Sequence, residues 1–124
     1  MKPKILIVDD EVRMRRLFEI NLSPKYDVLT SGGGEEALEI LKSGEITILI
    51  TDLKMPGMNG MSLLQGVRRI YPDLPVIIMT AYGTVEGAVQ AMKEGALDYI
   101  LKPIKIEEME LLIEKALSLC QLKD

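Results

Sequence analysis

The stretch Ile5-Leu6-Ile7-Val8-Asp9-Asp10 decides the fold, because four apolar residues run directly into two carboxylates. Continuously apolar runs of this length, rich in β-branched residues, are typical of parallel strands that are covered on both faces of their sheet. Two further runs share these properties, at residues 46–50 and 76–79, and two shorter ones lie at 28–30 and 99–101. We therefore predict five strands, the first of which ends at a pair of acidic residues.

Apolar residues at helical spacing separate the predicted strands and indicate five helices with one stripe each against the core. The stripes are Met14, Leu17, Phe18, Asn21 and Leu22; Ala37, Leu38 and Leu41; Leu63, Leu64, Val67 and Ile70; Val85, Ala88, Val89 and Met92; and Ile106, Met109, Ile113, Ala116 and Cys120. Three of the eight methionines, Met14, Met92 and Met109, lie on these stripes, and we interpret the methionines as packing residues. Strands that alternate with helices predict a doubly wound α/β domain.

Length and composition exclude several classes of protein. The 124 residues are 48% hydrophobic and 27% charged, as expected for one globular domain. A net charge of −4 disfavours direct binding to DNA or to an anionic membrane. The absence of histidine removes imidazole ligands and imidazole acid/base chemistry, and a single cysteine excludes an internal disulfide and points to the cytosol. The first apolar run is too short for a signal peptide or a membrane span.

Polar residues stand at the ends of four predicted strands. Asp9-Asp10, Asp52, Thr80 and Lys102 follow the first, third, fourth and fifth strands. Ligands of open parallel sheets bind beside the carboxyl ends of the strands, so these side chains are expected to converge. Taken singly, each has an ordinary explanation: an aspartate can cap a helix, Thr80 can be a plain strand residue and Lys102 a solvated charge. Their agreement at one edge favours a site.

Three converging carboxylates require a cation or a proton, because two of them about 4 Å apart repel by roughly 4 kcal/mol at an effective dielectric of 20. Mg²⁺ prefers such oxygen ligands together with a phosphate oxygen. A carboxylate beside Mg²⁺ and Lys102 is an available nucleophile toward phosphorus. The sequence therefore predicts an acyl phosphate on Asp52. The run Gly32-Gly33-Gly34 lacks a following Gly-Lys-Ser/Thr, so we predict a turn before a helix there, not a phosphate loop.

Asp9-Asp10, residues 52–60, Thr80-Ala81 and Lys102-Pro103 together resemble the signature of two-component response regulator receiver domains, over essentially the whole chain. The resemblance implies a flavodoxin-like fold with strand order 2-1-3-4-5. It also implies that residues 1–124 form one receiver domain in which a sensor histidine kinase phosphorylates Asp52. Such a domain is not an enzyme beyond its own phosphorylation and dephosphorylation.

The same resemblance assigns roles around the phosphoacceptor. It implies that Asp10, Asp52 and the backbone carbonyl of Lys54 ligate Mg²⁺, and that Asp9 acts through water. Lys102 is expected to pair with the phosphoryl group and to precede a cis bond to Pro103. Thr80 and Tyr99 correspond to the switch pair, a hydroxyl that moves to the phosphoryl group and a ring that turns inward. Lys54 and Tyr82 stand at variable positions that flank the site.

Residues 80–103 are similar to receivers of NtrC-type, sigma-54-dependent transcriptional activators, which precede an AAA+ ATPase and a DNA-binding domain. Either the chain is a single-domain regulator or it is one domain of such a longer protein. The family also implies a cytoplasmic location and a homodimer through the face made by the fourth helix, fifth strand and fifth helix.

Two other functions are compatible with parts of this pattern. A haloacid-dehalogenase-like phosphatase also uses a strand-end aspartate, Mg²⁺, Ser/Thr and Lys, but it needs an acid two positions after the nucleophile, where this chain has Lys54. A phosphorylation-independent interaction module is expected to have lost one of the five key residues, and none is missing here.

Overall fold

Five strands alternate with five helices in the computed structural model, which describes residues 2–81 and 83–123, with side chains through residue 119. The elements are β1 (Lys4–Val8), α1 (Val12–Leu22), β2 (Asp27–Ser31), α2 (Gly34–Leu41), β3 (Ile48–Asp52), α3 (Gly60–Ile70), β4 (Val76–Thr80), α4 (Val85–Lys93), β5 (Asp98–Leu101) and α5 (Ile106–Lys123). Tyr82 and the side chain of Cys120 lie outside the described part. None of the helices within it is long and apolar enough to cross a bilayer.

The strands form a single parallel sheet in the order β2-β1-β3-β4-β5, which confirms the predicted fold and strand order. The order reverses at β1, whose neighbours are β2 on one side and β3 on the other. Because the strands are parallel, the carboxyl ends of β1 and β3 open at the same edge, beside this switch point. Asp9 and Asp52 are therefore neighbours although 43 positions separate them in the sequence.

Two apolar layers hold the sheet between helices. On one face Ile5, Ile7, Ile48 and Ile50 pack with Phe18 of α1 and with α5. On the other face Leu6, Val8 and Leu49 pack with α2, α3 and α4. Side chains of a strand alternate between faces, so a strand that is covered on both needs consecutive apolar residues, as at 5–8 in β1 and 48–50 in β3.

The third strand begins two residues later than predicted. The apolar run at 46–50 was expected to form it, whereas β3 spans Ile48–Asp52. Ile46 and Thr47 lead into the sheet instead, and the backbone N–H of Thr47 donates to the carbonyl of Lys4 at 2.8 Å. The later register makes Asp52 the last residue of the strand, so its position is set by strand hydrogen bonds and not by a loop.

The predicted apolar stripe of the fourth helix does not face the core. Val85, Val89 and Met92 are 81%, 47% and 48% exposed, whereas the residue that α4 buries is Ala91. Small residues line the side that approaches the sheet, and a Cβ built on Gly87 would lie 3.4 Å from the Tyr99 hydroxyl. α4 sits over the edge strand β5, so its bulkier side chains point outward. Leu17 and Ile70, also predicted to be core residues, are exposed as well.

Candidate functional site

Three carboxylates meet at the carboxyl edge of the sheet. Asp9 follows β1 and is fully buried, Asp52 ends β3 and is 6% exposed, and Asp10 is exposed at the mouth. One oxygen from each lies within 4.8 Å of the others. The Oδ1 atom of Asp9 accepts the backbone N–H of Glu11 at 2.9 Å, so Asp9 holds the turn that leads into α1. Asp10 thus does not cap this helix, whose N-cap residue is Glu11.

Lys102 bridges two of these carboxylates. Its Nζ donates to Oδ2 of Asp9 at 2.9 Å and to Oδ2 of Asp52 at 3.1 Å, and its side chain is only 13% exposed. The backbone fixes its position, because the N–H of Lys102 donates to the carbonyl of Thr80 at 2.7 Å. The peptide bond from Lys102 to Pro103 is cis.

Burial and the neighbouring charges shift the pKa values of Asp52 and Lys102 in opposite directions. Burial raises the pKa of Asp52 above its ordinary value, although the ion pair with Lys102 and the backbone N–H of Lys54 pull it down. Burial by itself lowers the pKa of Lys102, but its bonds to Asp9 and Asp52 outweigh that effect and the net shift is upward. Lys102 is therefore an ammonium at neutral pH, and it compensates for only part of the negative charge.

The donor set fits a small divalent cation. Three carboxyl groups share one ammonium in a largely buried cluster, so their negative charge is only partly compensated. Oxygen ligands of this kind suit Mg²⁺, which also keeps several water molecules when one side of its site is open. Asp10 provides that open side. Asp10 and Asp52 would hold such an ion, and it would supply charge neutralisation to a phosphoryl oxygen.

The β3–α3 loop packs against the backbone of Asp52. Asn59 caps α3, since its side chain accepts the N–H of Ser62 at 2.8 Å. Gly60 packs directly under the phosphoacceptor candidate: its N–H donates to the carbonyl of Leu53 at 2.8 Å, and an added Cβ would lie 2.2 Å from the carbonyl oxygen of Asp52. Only glycine allows this approach.

We expect Gly60→Ala to destabilise the protein by about 3 kcal/mol, because backbone atoms of Asp52 would have to move to admit the methyl group. Urea unfolding of purified protein measures the change. Gly66→Ala is the matched control: Gly66 lies in the same helix with open space around its missing Cβ, so alanine should stabilise by about 0.5–1 kcal/mol. Equal stability of the two variants would contradict a role for Gly60 in close packing.

Thr80 lies on β4, the strand next to that of Asp52, and Tyr99 lies on β5, one strand further out. Thr80 is fully buried at the end of β4, one residue beyond Met79, which is the strand partner of Asp52. Tyr99 is half-buried on β5 and reaches toward α4 at Gly87. Thr80 thus lies beside the carboxylate cluster, and Tyr99 lies beside the helix with the exposed apolar side chains.

The family model for the response regulator receiver domain matches residues 5–114. The chain belongs to the response regulator receiver family. The receiver fold is equally clear from solved structures: a receiver domain protein from Clostridium thermocellum superposes with a TM-score of 0.94 at 34% identity, covering 98% of this chain and 99% of the other.

Similar receivers form part of longer regulators. The DNA-binding transcriptional regulator NtrC of Escherichia coli (strain K12) is 40% identical over 92% of this chain and 24% of its own length. NtrX from Brucella abortus, solved in complex with ADP, matches with a TM-score of 0.92 and 33% identity over 99% of this chain and 29% of its own. The chain thus spans about a quarter of the length of the curated relatives it matches.

Two residues of this receiver's site gave no clear signal in the sequence. The Glu11 carboxylate lies 3.9 Å from Lys102 Nζ, and Arg15 donates to the backbone carbonyl of Asp9 at 2.7 Å. Arg13, Arg15 and Arg16 look alike in the sequence, and only the rotation of α1 shows which of them reaches the acidic turn. Gly60 was noticed as part of a motif, but its contact with Asp52 needed the structure.

Proposed function

We propose that this receiver domain is a phosphorylation switch in which Asp52 accepts a phosphoryl group from the phosphohistidine of a sensor histidine kinase. The observation that carries the proposal is the bridge from Lys102 to both Asp9 and Asp52, with Asp10 alongside. The bridge counteracts the effect of burial on the pKa of Asp52 and holds the carboxylate at the carboxyl edge of the sheet, beside the exposed Asp10. Phosphoryl transfer asks a protein mainly for such positioning and neutralisation.

The proposed transfer exchanges one bond for another. An oxygen of Asp52 bonds to phosphorus, while the bond from phosphorus to the imidazole nitrogen of the kinase breaks and its electron pair remains on that nitrogen. The product is an acyl phosphate on Asp52. Lys102, already within 3.1 Å of Oδ2, is placed to shift toward the new phosphoryl oxygens. Mg²⁺ held by Asp10, Asp52 and the backbone carbonyl of Lys54, with Asp9 acting through water, supplies further neutralisation when bound.

The readout proposed for this phosphate is a rearrangement of α4 and β5. A phosphoryl group adds about −1.5 to −2 charge and three acceptor oxygens, and charge-assisted bonds to Lys102 and Thr80 favour one arrangement of the β4–α4 segment. Tyr99 follows because its hydroxyl lies against Gly87 of α4. Gly83 and Gly87 lower the intrinsic stability of this helix and its entry, which suits a moving element.

The surface that this motion changes is apolar and exposed. Val85, Val89 and Met92 on α4 join Leu101 on β5 and Leu111 on α5. We propose that this face binds an attached or separate output domain, or a second receiver. We also propose that the regulator acts in the cytoplasm and controls transcription there. The similar regulators favour an attached AAA+ and DNA-binding region. A net charge of −4 gives the receiver itself no attraction for DNA.

We propose that the only chemistry of the domain is its own phosphorylation and dephosphorylation. A phosphatase of the haloacid-dehalogenase type is disfavoured because the exposed Lys54 occupies the position of its second acid. A phosphorylation-independent module is disfavoured because the site keeps Asp9, Asp10 and Asp52 together, with Lys102 paired to Asp9 and Asp52.

Beryllofluoride, which mimics a bound phosphoryl group, separates these functions when added with Mg²⁺. We expect hydrogen exchange to change across α4 and β5, while α2, which contacts β1 and β2 away from α4, serves as the internal reference. We also expect no steady turnover of p-nitrophenyl phosphate. Unchanged exchange in α4 would contradict the switch, and sustained turnover would identify a phosphatase.

A further inference from the structure

Arg15 reaches the acidic turn from the first helix. Its Nη1 donates to the carbonyl oxygen of Asp9 at 2.7 Å, and its guanidinium lies over Gly32, where an added Cβ would be 3.2 Å from Nη1. The side chain is half-buried, whereas Arg13 and Arg16 on the same helix are exposed. Of these three arginines, the structure thus gives Arg15 alone a bond to the backbone of the site.

The β2–α2 loop lies next to Arg15 at Gly32. The carboxylate of Glu36 accepts the N–H of Gly32 at 3.1 Å. Bonds from Ser31 and Gly32, together with the charge of Arg15, lower the pKa of Glu36, so it is ionised at neutral pH. The Glu36 carboxylate therefore adds a favourable charge interaction with Arg15, whose guanidinium binds the Asp9 carbonyl.

The carbonyl that Arg15 binds belongs to the peptide that joins the two acidic residues. A peptide group is planar, so fixing the oxygen of Asp9 also fixes the N–H of Asp10 and the direction in which that residue leaves the turn. The remaining polar groups of Asp9 are bound as well: its N–H donates to the Ser31 carbonyl at 3.0 Å and its Oδ1 accepts from Glu11. Arg15 completes this set of restraints.

We propose that Arg15 is a positioning residue for the metal site, which orients the Asp9–Asp10 peptide so that both carboxylates face Asp52. The inference rests on the proposed function, since it concerns binding of Mg²⁺ at these carboxylates. Partners that orient metal ligands from outside typically contribute 10–100-fold to metal affinity.

Removing the Arg15 guanidinium has opposite expected effects on Mg²⁺ affinity, depending on whether Arg15 acts through its charge or by positioning the turn. The inference is therefore testable. A guanidinium near a cation site repels the cation, so removing its charge should tighten Mg²⁺ binding if charge were its only influence. If Arg15 positions the turn, Arg15→Met should instead weaken Mg²⁺ binding, by roughly tenfold. Methionine keeps an unbranched stem over Gly32 and removes only the polar head.

Isothermal titration with Mg²⁺ alone, on folded protein checked by circular dichroism, measures the dissociation constants. Arg16→Met is the matched control, because it removes the same charge from an exposed site on the same helix; we expect unchanged or slightly tighter binding. Arg15→Lys keeps the charge and loses the planar fork, so we expect an intermediate loss of roughly threefold, scaled from the same range. This variant carries the test if Arg15→Met does not fold.

Each outcome bears on the inference. Unchanged or tighter binding in Arg15→Met, or an equal loss in Arg16→Met, would overturn it and leave the proposed function standing. A lower thermal midpoint of Arg15→Met with unchanged Mg²⁺ affinity would show a purely structural role, and would overturn it too. If the wild-type protein itself bound no Mg²⁺, the proposed function and the inference would both be wrong.

Discussion

Asp52→Asn is expected to abolish phosphoryl incorporation and to leave the fold intact. The amide keeps the shape of the carboxylate at the end of β3 but has no anionic oxygen to attack phosphorus. The protein is incubated with Mg²⁺ and acetyl phosphate or a phosphorylated kinase, and intact-mass spectrometry then counts phosphoryl groups. We expect one on the wild-type chain and none on the variant.

Asp27→Asn is the control for this experiment, because Asp27 is an exposed aspartate at the amino end of β2, the opposite edge of the sheet. It should accept phosphate like the wild type. A phosphoryl group on Asp52→Asn at wild-type rate would place the phosphoacceptor elsewhere and overturn the proposed function.

Asp52→Asn should also be more stable than the wild type in metal-free buffer at neutral pH. Burial raises the pKa of Asp52, so the folded protein favours the protonated carboxyl. That contribution to stability is present below the ordinary pKa of 3.8 and is lost as the pH rises through the raised value. Asparagine cannot ionise, so it retains the neutral form at pH 7. A lower thermal midpoint for Asp52→Asn than for the wild type in metal-free buffer would contradict the predicted stabilisation.

Lys102→Met is expected to cost about 3 kcal/mol of folding free energy in the absence of Mg²⁺. The substitution leaves the fully buried Asp9 and the nearly buried Asp52 facing each other without a cation. Removing one partner of a buried ion pair is strongly destabilising, because the remaining charge keeps its desolvation cost. Urea unfolding with a chelator present measures the loss.

Adding Mg²⁺ should restore part of the stability of Lys102→Met, because a divalent ion neutralises the same carboxylates. Lys105→Met serves as the control: Lys105 is exposed three residues further along, and its replacement should change stability by no more than about 0.5 kcal/mol. If Lys102→Met were as stable as Lys105→Met in chelator, the ion pairs would have no energetic role in the fold.

Part of this architecture follows directly from residue patterns. Residues 5–8 of β1 and 76–79 of β4 are continuously apolar, which predicts a sheet that is covered on both faces, and the structure confirms it. The acidic and basic residues at the strand ends had to converge once the strands were parallel, since all carboxyl ends then open at one edge. Periodicity and chain direction were enough for both inferences.

The start of β3 and the orientation of α4 could not be predicted from those patterns. The run at 46–50 had the composition of a strand, but strand register is fixed by partners in β1 and β4, and these place β3 two residues later. The stripe of α4 was apolar at helical spacing, yet Val85, Val89 and Met92 face outward, because a helix over an edge strand has sheet under only one side. Neither fact is encoded by neighbours in the chain.

The amino-acid sequence by itself determined that Asp9, Asp10, Asp52 and Lys102 meet at the carboxyl edge of a parallel sheet. Only the tertiary structure decided how they meet, with the ammonium of Lys102 between Asp9 and Asp52 and the guanidinium of Arg15 on the carbonyl of Asp9. The physical reason is that the two properties depend on interactions at different separations along the chain. Strand direction is a local property, readable from periodicity, whereas hydrogen bonds a few ångströms long depend on register and helix rotation that only the packed core fixes.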